Sequence, residues 1–104
     1  MSRFNLDMVR GDTLSFGAKF NGLTEDLDSA YFTIRTTSGT QVTQKSIGSG
    51  IEKVATGLYK VRVAPADTAN VVPGEYRYDF QVGLGSDIYT LLIGRLMIDQ
   101  DVTY

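Results

Sequence analysis

Residues 73–98 read PGEYRYDFQVGLGSDIYTLLIGRLMI, and this stretch decides the fold. From Glu75 to Val82, charged or polar side chains alternate with large apolar ones, which is the period of a β-strand with one face in water. From Ile88 to Ile98 almost every position is apolar, giving the longest run of core-forming residues in the chain. The glycines between the two segments favour a turn. We therefore predict a β-hairpin on which the rest of the chain closes.

Shorter segments with the same alternation precede the hairpin. They predict strands at 4–9, 13–20, 30–36 and 58–63, and a weaker pattern predicts two short edge strands within 41–55. Residues 65–70, PADTAN, favour one helical turn, because proline fits the first turn of a helix and Asp67 is favourable near its N-terminus. The pattern predicts a single all-β domain over 1–104, an antiparallel β-sandwich of about seven strands, with a small barrel as the alternative.

A tight turn is predicted at Arg10-Gly11-Asp12. Gly11 can adopt a positive φ, and the Asp12 side chain can accept hydrogen bonds from the amides that follow it. Some integrin ligands display the tripeptide Arg-Gly-Asp on an exposed loop. We favour the turn, because the flanking strands are too close together to leave a projecting loop.

The composition excludes several functional classes. The chain has 104 residues with no cysteine and no histidine, so it lacks disulfides, thiolate nucleophiles and the commonest general base and metal ligand. Its ten lysines and arginines are scattered and its net charge is −2, which argues against a nucleic-acid partner. No apolar run is long enough for a membrane helix or a secretory signal. We expect a protein made and kept soluble in a cytoplasm, with no cofactor.

Two groups of carboxylates are the candidates for chemistry. Glu25, Asp26 and Asp28 lack the ligand spacing of an EF-hand loop. Asp99 and Asp101 would share one face of a strand, but a solvated C-terminal tail is a simpler interpretation than a site that raises a pKa for general acid catalysis. We therefore predict no metal site and no catalytic residues, and the protein is expected not to be an enzyme.

Three stretches together resemble a known family: RGDTLSF at 10–16, PADTA at 65–69 and GEYRYD at 74–79. In this order they are similar to the immunoglobulin-like domain of bacteriophage and prophage tail proteins, and to the N-terminal domain of the phage baseplate upper protein family in particular. That domain opens with a strand, a Gly-Asp-Thr/Ser turn and a second strand. The resemblance spans nearly the whole chain and implies an immunoglobulin-like sandwich.

The resemblance also implies a function and a location. It implies a structural or attachment role in the virion tail, at the baseplate or a tail fibre, without catalysis. The expected partners are further copies of the chain or other tail proteins, after synthesis in the bacterial host cytoplasm. Longer members of the family continue into oligomerising and receptor-binding segments beyond the part that resembles this chain, so a free-standing protein and one domain of a longer protein are both open.

A carbohydrate-binding β-sandwich is the alternative function. The sequence has six tyrosines, which can stack on sugars. Three of them, Tyr59, Tyr76 and Tyr78, occupy inward positions of alternating strands and are predicted to lie in the core. The remaining candidates, Tyr31, Tyr89 and Tyr104, are scattered along the chain.

Tyr76 has a predicted structural role. Immunoglobulin-like sandwiches often place a tyrosine near the start of this strand, with its hydroxyl bonded to the crossover backbone. Tyr76 has this position in the sequence, because it follows the predicted helical turn and comes two residues after Gly74. The residues to which we assign structural roles are Gly11, Asp12, Asp67, Gly74 and Tyr76.

The second arm of the hairpin has more apolar residues than one face requires. Regular alternation puts Ile88, Leu92, Leu96 and Ile98 on one face, and Tyr89, Leu91, Ile93 and Met97 on the other. The hairpin register decides which set lies inside. Because exposed apolar patches mark interfaces, we predict self-association or docking to a tail protein through the second set. The alternative is that residues 21–29 or the tail at Tyr104 cover this stripe.

Overall fold

The computed structural model describes residues 2–20 and 24–100, which form nine strands and one short helix. The strands are β1 (Ser2–Arg3), β2 (Leu6–Val9), β3 (Leu14–Lys19), β4 (Ser29–Thr36), β5 (Gln41–Ile47), β6 (Gly50–Ala55), β7 (Leu58–Val63), β8 (Gly74–Leu84) and β9 (Asp87–Asp99). The helix α1 is one turn, Pro65–Thr68, between β7 and β8. Within the described residues, no helix is long and apolar enough to cross a bilayer. The all-β prediction with one helical turn is confirmed.

The strands form two packed layers. Their order is β1-β9-β8-β4-β5-β6-β7-β3, and β2 also pairs with β9. Between β5 and β6 the register has two pairs, Ser46 with Gly50 and Ile47 with Ile51. The sheet folds back there, because Phe16 of β3 contacts Phe32 of β4 across the core, with ring centroids 5.4 Å apart. We call β1, β2, β9, β8, β4 and β5 the long sheet, and β6, β7 and β3 the short sheet.

The core lies between the two sheets. It consists mainly of alternate residues of β2, β3, β4, β7, β8 and β9, as the period-2 pattern predicts. Tyr59, Tyr76 and Tyr78 are buried in it, as predicted. Leu27 joins the core from the loop before β4, where its backbone N–H donates to the Tyr59 hydroxyl at 2.9 Å.

The sandwich differs from the prediction in strand number and direction. The first strand, predicted at 4–9, begins only at Leu6 as β2, and the two-residue β1 that precedes it is not predicted. Both of these strands pair with β9 in parallel, with Leu6 opposite Leu96. The sheets are therefore not wholly antiparallel. Alternation within one segment indicates which face is buried, but it carries no information about which strand lies beside it or in which direction that strand runs.

Hydrogen bonds around α1 and the crossover to β8 involve residues of all three stretches that carry the family resemblance. The Gly11 N–H donates to the Thr68 hydroxyl at 3.0 Å, which joins the first turn to α1. The Asp67 carboxylate accepts the Ala64 N–H at 2.7 Å and pairs with Lys45 Nζ at 2.7 Å. The Tyr76 hydroxyl donates to the Val72 carbonyl oxygen at 2.5 Å. This tyrosine corner, together with the strand order, makes the sandwich immunoglobulin-like.

The two predicted glycine positions adopt the left-handed backbone that glycine tolerates, with φ of 81° at Gly11 and 151° at Gly74. The prediction for the Asp12 side chain is wrong. Asp12 is exposed and closes the turn with its backbone N–H, which donates to the Val9 carbonyl oxygen at 3.0 Å. Its carboxylate accepts no hydrogen bond within the described residues, and the side-chain acceptor at this turn is the Thr68 hydroxyl, which takes the Gly11 N–H.

We expect Tyr76→Phe to lower the free energy of unfolding by about 0.5–1.5 kcal/mol, because it removes a hydrogen bond at the buried corner. Chemical denaturation measures this difference. Tyr89→Phe is the matched control, since Tyr89 is 50% exposed and its hydroxyl lies 3.4 Å from Asp87. Equal midpoints for Tyr76→Phe and the unmodified protein would contradict a stabilising role for this hydroxyl.

Candidate interaction surface

The register of the β8–β9 hairpin determines which residues face outward. Tyr76 lies opposite Leu96, and Phe80 lies opposite Leu92. Because Tyr76 and Phe80 are buried, these leucines face the core. The outer face therefore carries Ile93 and Met97, which lie opposite Asp79 and Glu75. These two belong to the predicted interface set, and both are partly exposed.

A β-bulge breaks the predicted stripe. Phe80 pairs with Leu92 but Gln81 pairs with Thr90, so Leu91 is an extra residue in β9. Leu91 packs against the core, and its predicted outward position is therefore wrong. The bulge also reverses which residues of β9 face inward and outward between the bulge and the hairpin turn. Ile88, which the alternation assigns to the inward set, is 68% exposed, and Tyr89 lies on the hairpin arm beyond the bulge. Tyr89, Ile93 and Met97 thus do not form one continuous stripe.

The chain between β1 and β2 crosses β9 at Gly94. The Phe4 N–H donates to the Ile93 carbonyl oxygen at 3.1 Å, and the Phe4 carbonyl oxygen accepts the Tyr78 hydroxyl at 2.5 Å. Burial raises the pKa of Tyr78 above its ordinary value of 10.0, so this phenol remains a donor at neutral pH. The alternation of the predicted strand 4–9 places Phe4 on the inward face with Leu6 and Met8, but its side chain is 60% exposed because Phe4 lies between β1 and β2.

A row of three arginines crosses the outer face of the long sheet. Arg77 of β8 lies directly opposite Arg35 of β4 on one side and Arg95 of β9 on the other. We call these residues the arginine row. Like charges directly opposite each other on neighbouring strands destabilise a sheet. Their alignment is therefore unfavourable for folding by itself.

The outer arginines of the row have carboxylate partners on the neighbouring positions of β8. Arg35 Nη1 lies 2.8 Å from Asp79 Oδ2, and Arg95 Nη1 lies 3.2 Å from Glu75 Oε1. The central Arg77 is exposed and has no carboxylate within 4.0 Å among the described residues. In the part of the chain that the structure describes, Arg77 is thus the arginine of the row that has no carboxylate partner.

The arginine row lies in an open groove of about 540 Å³. The lining includes Arg3 and Asn5 next to β9, and the turn from Thr36 to Gly39 after β4. The lining includes four arginines and two carboxylates, a local excess of positive charge on a chain whose net charge is −2. Ile93 adds an apolar patch to the floor of the groove. This groove is the candidate interaction surface.

Two of the three candidate carboxylates between residues 25 and 28 make local contacts. Asp26 pairs with Lys53 Nζ at 2.6 Å, and Asp28 accepts the Gly85 N–H at 2.6 Å. Among residues 2–20 and 24–100, no three acidic residues come together as a metal site. Asp99 is exposed at the end of β9. Asp101 and Tyr104 lie outside the described residues.

No protein-family model and no curated protein matches the sequence. Among solved structures, the chain is similar to a protein from Bacteroides vulgatus provisionally assigned as a glycoside hydrolase, with a TM-score of 0.59 and 15% identity. The match covers 94% of this chain and 17% of that protein. The second immunoglobulin domain of the mouse polymeric immunoglobulin receptor aligns over 99% of this chain and all of that domain, at 12% identity and a TM-score of 0.47. The Bacteroides likeness shows a shared fold.

Proposed function

We propose that the chain is a non-enzymatic structural or interaction component of a phage or prophage virion tail, at the baseplate or a tail fibre. It docks to further copies of itself or to other tail proteins through the outer face of the long sheet. The observation that supports docking is the arginine row in an open groove, where Arg77 has no carboxylate partner among residues 2–20 and 24–100. An arrangement that costs stability locally is expected where a surface serves binding.

The tail assignment is supported by the family resemblance of the sequence. The first and second stretches of that resemblance are far apart in the chain, and the Gly11–Thr68 hydrogen bond joins them, while Tyr76 of the third stretch bonds to Val72 in the crossover that follows α1. These residues hold the sandwich together and leave the outer face of the long sheet to carry contacts. The predicted interface residues Ile93 and Met97 lie on that face.

Particles purified after prophage induction test the tail assignment. We expect mass spectrometry to detect the chain in purified tails, and we expect antibody labelling to place it at the baseplate end or on a fibre. Light scattering over a concentration series measures whether the free protein associates with itself. Purified tails that lack the chain would overturn the proposal.

Carbohydrate binding is the second candidate, because a protein named as a glycoside hydrolase has a region of the same fold. Of the candidate tyrosines, the two that the structure describes, Tyr31 and Tyr89, do not form a sugar platform. Tyr31 lies opposite Gln81, and Tyr89 lies opposite Val82, the next residue of β8. Successive residues of a strand point to opposite faces, so the two rings lie on different faces of the long sheet. A glycan array distinguishes the two functions, and specific binding of one glycan class would favour the second.

A further inference from the structure

We propose that Arg77 is the receptor for a carboxylate in an acidic segment of a partner protein, which binds in the groove of the arginine row. This inference rests on the proposed docking function and names the chemistry of the partner. The partner segment pairs an Asp or Glu side chain with an adjacent apolar residue.

The two outer arginines prepare the site for an anion. Arg35 and Arg95 are held by Asp79 and Glu75, so both guanidinium groups remain beside Arg77. An incoming carboxylate reduces the repulsion along the row and receives parallel N–H bonds from Arg77, whose planar fork matches its geometry. The partner's carboxylate thus binds beside the Arg77 guanidinium, where the described residues of this chain place no carboxylate.

The other residues that line the groove favour a peptide over a chain of phosphates or a sugar. Glu75 and Asp79 flank the row, so a chain of phosphates that followed the three arginines would also meet these two negative charges. A sugar would lack an exposed aromatic ring to stack on, since the one aromatic residue in the lining, Tyr78, is buried and bonded to Phe4. Ile93 lies opposite Asp79, one position along from the row, and can contact an apolar side chain next to the bound carboxylate.

A titration followed by nuclear magnetic resonance tests the site. The probe is the blocked tetrapeptide Glu-Leu-Glu-Leu, and the matched probe is Gln-Leu-Gln-Leu. We expect the acidic peptide to shift the signals of Arg77, Ile93 and Arg95, with an affinity that falls as salt increases. Arg77→Gln should weaken this binding by about fivefold or more, since it removes a charged, forked donor.

Three comparisons keep the proposal open to contradiction. Arg62→Gln is the control, because Arg62 is exposed on the short sheet and lies outside the groove; it should bind like the unmodified protein. Arg77→Lys should give intermediate affinity, because it keeps the charge and loses the fork. Equal affinity of Arg77→Gln and the unmodified protein would overturn the proposal, as would equal binding of the two peptides.

Two further probes identify the anion. Inorganic phosphate and a glucuronate oligosaccharide are titrated in the same way, and we expect both to bind more weakly than the acidic peptide. Tighter binding of either one at Arg77 would overturn the assignment to a protein segment. These outcomes are independent of the tail assignment, which is decided by the content of purified particles.

Discussion

Replacing Phe32 with alanine is expected to lower the free energy of unfolding by about 3–5 kcal/mol, the range for removing a buried aromatic ring. Phe32 has 0% exposure, and its ring contacts three others from both sheets. The centroid distances are 5.4 Å to Phe16, 5.4 Å to Tyr78 and 6.5 Å to Phe80. Alanine would leave a cavity at the point where the two sheets meet. Urea denaturation followed by circular dichroism measures the loss.

Phe4→Ala is the matched control for this substitution. It deletes the same atoms from a ring that is largely exposed, so its effect should be within about 0.5 kcal/mol, as for surface substitutions. Similar losses for Phe32→Ala and Phe4→Ala would contradict the assignment of Phe32 to the centre of the core.

Gly94→Ala is expected to destabilise the protein by about 1–3 kcal/mol, the range for overpacking, and to release the segment before β2 from β9. A Cβ atom at this position would lie 1.9 Å from the Phe4 carbonyl oxygen and 3.1 Å from Tyr78 Cε1. The backbone of Phe4 would have to move away from β9, which breaks its hydrogen bonds with Ile93 and the Tyr78 hydroxyl. Hydrogen exchange at the Phe4 amide reports this release directly.

Gly17→Ala is the control for the glycine substitution. Gly17 lies in β3, and the nearest atom to an added Cβ is 3.9 Å away, which is an ordinary contact. We expect no increase in exchange at Phe4 in this variant. Unchanged protection of the Phe4 amide in Gly94→Ala would show that the crossing at Gly94 is not as close as the structure places it.

Local patterns in the sequence predict much of the fold. The alternation from Leu58 to Val63 gives β7 with the bounds that the structure has, because each inward residue there meets the core and each outward one meets solvent. Tyr76 is also predictable, since its hydrogen bond reaches only to Val72 in the preceding crossover. Features of this kind depend on neighbours within a few residues of the chain.

The candidate site depends on register between distant segments, which local patterns do not contain. Arg35, Arg77 and Arg95 are ordinary outward residues of three strands, and only the pairing of β4, β8 and β9 aligns them. The bulge at Leu91 shifts one strand by a residue, so simple alternation assigns its side chain to the wrong face. The exposure of Phe4 likewise follows from a crossing over Gly94, which lies ninety positions later.

The parallel pairing of β2 with β9 affects the order in which the protein can fold as it leaves the ribosome. Leu6 and Met8 face their partner strand only after residues 87–99 have been synthesised, since they align with Leu96 and Ile98. Until then the segment has no neighbour, whereas β8 and β9 can pair at once through their two-residue turn. Contacts between such distant residues slow folding, because a long loop must close before they form. Attachment of the first strands is therefore expected to be a late step, which completes the long sheet after the hairpin has formed.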